Sequence, residues 1–300
     1  MQRERFVEAL RHRPLLGEGA MGTQLIASGH QPGACGEASN QTEPETVRAV
    51  HQAYYEAGAR LAITNTFGGS PLTLARHGLA AQAGQINRAG AERAREGVGD
   101  DALVFGDIGP CGDFLEPLGE VTLDQLEQAL RQQIEALAEG GVDGIIVETM
   151  TDPAELGAAV CVARAFGDWP VIASFAFDPA GDAMFRTMMG AAPADAAKTA
   201  LEAGADVIGA NCGNSTSLEH YVSLTAQLAD AADGAPVMIQ PNAGQPERRD
   251  GKVVYPVGPE EFASYAPRLV EAGARVIGGC CGTTAAHIRA LSEALVGQVS

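Results

Sequence analysis

Six cysteines occur in 300 residues, and three of them have the spacing of a chemical site. Cys280 and Cys281 sit side by side in VIGGCCGTT, and Cys212 ends the run VIGANC. Each run follows a Glu-Ala-Gly-Ala phrase, starting at Glu271 and Glu202, so Cys212 and Cys281 both stand ten residues after the glutamate. Three converging thiols without a fourth ligand of the same kind match an open zinc site, which takes three protein ligands and leaves one place for water or substrate. Soft thiolates select zinc over hard cations such as magnesium. Three thiolates on one Zn²⁺ leave a net negative centre, which activates water poorly. It suits a substrate thiol, which loses its proton near neutral pH and keeps a nucleophilic sulfur. Sulfur alkylation is therefore expected ahead of hydrolysis. A dithiol redox protein using Cys280 and Cys281 is the alternative class, and it leaves Cys212 unexplained. Cys161, mid-helix in AAVCVARAF, reads as core, and Cys35 and Cys111 as loop residues without a role.

The elements that position these thiols follow from the same phrase. EAGARLAITNT from Glu56 and EGGVDGIIVET from Glu139 repeat it, each reading as a helix end, a glycine stop and a short apolar strand. Aligned on their glutamates, the four copies place Asn65, Glu148, Asn211 and Cys280 at one depth, and Thr66, Thr149, Cys212 and Cys281 one residue beyond. Strands are expected near 14–18, 61–64, 102–106, 144–148, 171–175, 206–210, 236–240 and 275–279, apolar on both faces and separated by amphipathic helices. Eight strand–helix units imply an α/β fold, a (β/α)8 TIM barrel forming a single domain over 1–300, with a doubly wound open sheet as runner-up. In such barrels chemistry sits at the C-terminal ends of the strands, where all of these polar and sulfur residues fall.

Bulk properties narrow the partners. A formal net charge of −18 excludes nucleic acid, which needs neutralising Lys and Arg, and an anionic membrane surface. No apolar run approaches 18 residues, so no membrane span is expected. The N-terminal MQRERFVEALRHRP lacks the apolar stretch of a secretory signal, which makes the cytoplasm the default and free thiols the expected state.

The motifs GANCG and GGCCGTT resemble the two zinc motifs of the homocysteine S-methyltransferase family, which includes the homocysteine-binding domain of cobalamin-dependent methionine synthase and the betaine enzymes. GEGAMGTQL, TNTFGGSPLTLARHGL, GDIGPCGD, VETM, RTMMG and PNAGQP extend the similarity over almost the whole chain. The resemblance implies a (β/α)8 barrel with Cys212, Cys280 and Cys281 as zinc ligands. It implies that Glu148 binds the homocysteine amino group, and that the loop Glu18, Gly19, Ala20, Met21 and Thr23 stands where the family reads the substrate's polar groups. That loop departs from the family's Asp-Gly-Gly pattern at Glu18 and Ala20. Asn242 looks like the residue that holds zinc's open place before substrate arrives, and Asn65, Thr66 and Asn211 are candidate hydrogen-bonding contacts.

The implied reaction is methyl transfer to the thiol of L-homocysteine, giving L-methionine. Methylcobalamin or a methyl-corrinoid partner supplied in trans is the expected donor, because 300 residues cannot also hold folate, cobalamin and reactivation modules. On that view the chain is either an enzyme or the homocysteine-loading module of a larger synthase. Betaine, S-methylmethionine and S-adenosylmethionine are the alternative donors. A betaine donor calls for an aromatic cage; the positions that carry cage aromatics in betaine enzymes are here Gly68 and Thr149, leaving Phe67, Phe114 or Tyr255 to compensate.

Overall fold

The computed structural model describes residues 3–181, 183–215, 217–249 and 252–296. Eight parallel strands form the centre: β1 (Leu15–Leu16), β2 (Leu61–Ile63), β3 (Leu103–Ile108), β4 (Gly144–Met150), β5 (Val171–Phe175), β6 (Val207–Asn211), β7 (Val237–Gln240) and β8 (Ala274–Ile277). They run in the order β1-β8-β7-β6-β5-β4-β3-β2. The sheet closes through a parallel bridge from Gly17 to Leu61, with Glu18 N–H donating to Leu61 C=O at 3.1 Å and Arg60 N–H to Leu16 C=O at 2.8 Å. The eight-stranded barrel is therefore found. β1 is shorter than its sequence suggests: past Leu16 the chain keeps only the Gly17 bridge and the Glu18 amide hydrogen bond before it enters the loop that runs to Thr23.

The repeated phrase does what its chemistry requires. Gly58, Gly141, Gly204 and Gly273, each two residues after a repeat glutamate, have φ of 111°, 84°, 101° and 113°. A side chain at such angles is strained, so glycine here ends each helix and turns the chain into the next strand. Two short hairpins, Asp178–Pro179 with Phe185–Arg186 and Glu247–Arg249 with Lys252–Val254, lie outside the eight-unit pattern.

Alternation along the strands builds the interior in layers. Inward side chains from all eight strands, among them Leu15, Leu61, Phe105, Ile146, Ile172, Val207, Met238 and Val276, form one apolar cluster. Phe6 and Leu10 of the helix Arg3–His12 join it and close the N-terminal end of the barrel. Two residues further along, the inward positions turn polar: Phe105 gives way to Asp107, Ile146 to Glu148, Ile172 to Ser174, Val207 through Gly209 to Asn211, and Met238 to Gln240. The apolar layer is a sealed floor, and the polar layer above it is the base of the site. Beneath the floor, Asp206 is buried, accepts a hydrogen bond from Val171 N–H at 2.9 Å, and pairs with Arg3 and Arg164. No helix among the described residues is long and apolar enough to cross a membrane.

Candidate active site

The strands deliver three sulfurs to one point. The Sγ atoms of Cys212, Cys280 and Cys281 all lie within 4.8 Å of one another, and those of Cys280 and Cys281 are 3.9 Å apart. All three are free thiols, half-buried, and line a cavity of about 470 Å³ at the C-terminal mouth of the barrel. Donation from the Cys280 and Cys281 thiols pulls Cys212 well below the ordinary thiol pKa, while Cys280 is pushed up. The cluster thus shares negative charge among closely spaced soft donors, which is the arrangement a single zinc ion fits.

Backbone strain sets the aim of the Cys212 thiol. Cys212 has φ of 56° and Thr149, at the matching position of β4, has φ of 58°. Non-glycine residues rarely adopt this conformation, which persists only where neighbours over-determine it. Asn211 supplies that restraint. Its Oδ1 accepts from Thr149 N–H at 2.9 Å and from Ser174 Oγ at 2.7 Å, and its Nδ2 donates to Thr149 Oγ1 at 2.7 Å. Asn211 therefore braces the ends of β4 and β6 and is not part of the cavity lining. Asn242 also braces: its Nδ2 donates to Gly213 C=O at 3.0 Å and its Oδ1 accepts from Cys281 N–H at 3.1 Å, tying the two thiol loops together.

The β1 loop is stitched to the β8 loop. Gly279 N–H donates to Glu18 C=O at 3.0 Å, and Ala20 N–H to Thr283 Oγ1 at 3.0 Å. Tyr54 Oη donates to Ala20 C=O at 2.8 Å. A Cβ on Gly19 would stand 2.7 Å from Thr283 Oγ1 and 2.8 Å from Tyr54, so only glycine lets the loop lie this close. Thr284 is the N-cap of the helix Ala285–Ala294 that follows the vicinal pair.

Glu18, Gly19, Ala20, Met21, Thr23, Asn65 and Glu148 all line the cavity with the three thiols. Burial, with the charges of Cys212 and Glu18, pushes the Glu148 carboxyl up to about 8. The Glu18 carboxylate turns inward: one oxygen accepts from Ile63 N–H at 2.7 Å and the other lies 3.0 Å from His51 Nδ1. Its extra methylene thus seats it on the barrel wall. Asn65 borders the cavity while its Nδ2 donates to Gly36 C=O and to Asn40 Oδ1, both at 2.9 Å. Thr66 is fully buried outside the lining, and its hydroxyl donates to Asp107 C=O at 2.8 Å.

Sequence reasoning missed His51, Gln240 and Asp107. His51 lies on the helix Pro44–Glu56, and nothing local announces a partner 33 residues away. Asp107 and Gln240 were legible in principle, as the first polar residues after Phe105 and Met238 at a spacing of two. Of the aromatic candidates for a donor cage, Phe67 lines the cavity, and Phe114 and Tyr255 do not.

The remaining thiols differ from expectation in one case. Cys161 is exposed, because its helix turns that position outward, and so it is not a core residue. Cys35 and Cys111 are buried, and burial pushes Cys111 up to about 12 and Cys35 upward. Thiolate is the reactive form. A brief maleimide pulse at pH 8 on the zinc-loaded protein is thus expected to label Cys161 first and Cys111 on the order of 100-fold more slowly. Peptide mapping that found Cys111 labelled first would contradict this burial.

The homocysteine S-methyltransferase family model matches residues 15–295. The chain is 34% identical to the methionine synthase of Mycobacterium tuberculosis over 97% of its own length and 25% of that protein. It is 32% identical to betaine–homocysteine S-methyltransferase 1 of Danio rerio, over 84% of this chain and 65% of that one. The chain spans about a quarter of the length of the mycobacterial synthases it matches. The metallated homocysteine methyltransferase MmuM of Escherichia coli superposes with a TM-score of 0.76 at 28% identity, covering 94% of this chain and 96% of that one. With one barrel, one thiol cluster and a match over nearly its full length, the chain belongs to the homocysteine S-methyltransferase family.

Proposed function

We propose that this chain moves a methyl group onto the thiol of L-homocysteine, giving L-methionine. The observation that carries this reading is the meeting of three thiols and Glu148 on the lining of one cavity. Cys212, Cys280 and Cys281 would hold zinc, which when bound would favour ionisation of an added thiol, while the net negative charge of the three-thiolate centre would leave its sulfur nucleophilic. Glu148 takes the substrate ammonium as a charge-assisted acceptor. The Glu18–Thr23 loop shapes the wall beside it, with Glu18 held back by His51 and the Ile63 amide. The sealed floor and narrow cavity fix the amino acid with its sulfur facing the mouth, so positioning supplies much of the rate. The sulfur–methyl bond forms as the donor–methyl bond breaks, and the thiol proton passes to solvent.

We assign methylcobalamin, free or on a corrinoid-carrying partner, as the donor. One aromatic ring, Phe67, lines the cavity, which is short of the several faces a quaternary ammonium cage requires. A corrinoid is larger than the cavity and must meet the thiol from outside, where Phe67, Phe114 and Leu118 are exposed. The zinc-loaded chain should be offered homocysteine with methylcobalamin, betaine, S-methylmethionine or S-adenosylmethionine. Methionine formed from methylcobalamin alone is the expected result. Turnover with a small-molecule donor instead reassigns the donor, and turnover that begins when a methyl-corrinoid protein is added identifies a homocysteine-loading module. No methionine in any arm sinks the reading.

A further inference from the structure

Four carboxylate side chains line the cavity, and they are not equivalent. Glu18 is occupied by the Ile63 amide and His51, and Glu37 accepts from Gly68 N–H at 2.7 Å. Asp107 stands apart. It is 4% exposed, yet its Oδ1 has no hydrogen-bond partner. Its backbone is fixed: N–H donates to Thr64 Oγ1 at 2.9 Å, and C=O accepts from Thr66 Oγ1 at 2.8 Å and from Gln133 Nε2 at 3.2 Å. Buried polar atoms are nearly always paired, so an orphan on a cavity wall calls for an explanation, and a ligand in the cavity supplies one. Gln240 Oε1, across the barrel on β7, also lacks a partner.

We propose that Asp107 is a substrate-binding residue that, with Glu148, receives the α-ammonium of the amino-acid substrate. This rests on the homocysteine reading above. Asp107 and Glu148 are inward residues of adjacent strands, with Asp107 paired in register to Ile146 and Glu148 two residues beyond it. As a carboxylate the orphaned atom is an acceptor, so a ligand that holds Asp107 ionised must bring a hydrogen. A primary ammonium brings three, whereas a sulfonium or trimethylammonium group brings charge without an N–H. Burial and the nearby charge of Glu148 push the Asp107 carboxyl well up, an unfavourable setting for two acids that a cation between them reverses. Both oxygens of Glu18 already have partners, the Ile63 amide and His51.

The test is calorimetric binding to zinc-loaded protein of two ligands, L-homocysteine and 4-sulfanylbutanoate, which keeps the thiol and carboxylate and lacks the amine. In D107N, homocysteine should bind about 10- to 100-fold more weakly, the loss expected for a hydrogen bond to a charged group. Binding of 4-sulfanylbutanoate should match wild type, and the ligand-free variant should melt no lower than wild type. D107S, which removes the charge with a smaller side chain, repeats the comparison should D107N fold poorly. Equal weakening of both ligands, or unchanged homocysteine binding, overturns the role of Asp107 while leaving homocysteine as the substrate. Wild-type protein that binds neither ligand overturns the homocysteine reading, and this inference with it.

Discussion

Replacing Cys280 with serine should lower bound zinc from about one ion per chain to a small fraction of that, and cut methionine formation by roughly 1,000-fold or more. The three sulfurs sit within 4.8 Å of one another, so losing one removes a third of a closely spaced donor set. A hydroxyl of the same shape does not replace a soft thiolate as a zinc ligand. The fold should survive, because Cys280 lies beyond the end of β8 and the loop is anchored independently. Its backbone N–H donates to Pro241 C=O at 2.8 Å, and its C=O accepts from Thr283 Oγ1 at 2.7 Å. Metal analysis beside a thermal melt separates the cases. A serine variant that folds, keeps its zinc and turns over at the wild-type rate would refute the cluster's role. Cys212→Ser and Cys281→Ser should behave alike, since the three act as one unit.

The second large effect is expected from Glu148→Gln. The change keeps shape and removes charge, so kcat/KM for homocysteine should fall on the order of 100-fold, mostly through KM. It also carries a stability signature opposite to that of a damaged core. Burial, then the charges of Cys212 and Glu18, raise this carboxyl from its ordinary 4.5 to about 8. A carboxyl raised on folding binds its proton more tightly in the folded state, so the wild type loses stability as pH climbs from about 5 to 8. Gln has no proton to lose. Melting of zinc-free protein should therefore show E148Q gaining on wild type across that window. A gap that narrows with rising pH would mean that the folded protein stabilises the carboxylate and not the neutral acid.

The glycine-ended repeat carried most of what the sequence disclosed. Since Gly58, Gly141, Gly204 and Gly273 end helices at fixed distances from the strand tips, depth in the barrel could be counted in residues. Cys212 and the vicinal pair, on strands separated by β7, were thereby brought together. Depth does not say what a side chain touches once there. Asn211 shares its level with Glu148 yet faces Thr149 and Ser174, because the turn at Thr149 presents an amide to it. Glu18 was legible as a departure from the family pattern. Its turn toward His51 depended on a helix that no local signal links to the β1 loop. Cys161 looked like core because its helix is rich in small apolar residues, which fit either face.

The closed apolar floor has a kinetic consequence. A chamber with one blind end has a single doorway, so on the proposed reaction the amino acid, the donor and the methylated product must use it in turn. If the donor is the proposed corrinoid, too bulky to pass inside, the order is forced: homocysteine first, donor second, spent donor away before methionine. Crowding by excess donor at the threshold should then slow the traffic of both amino acids.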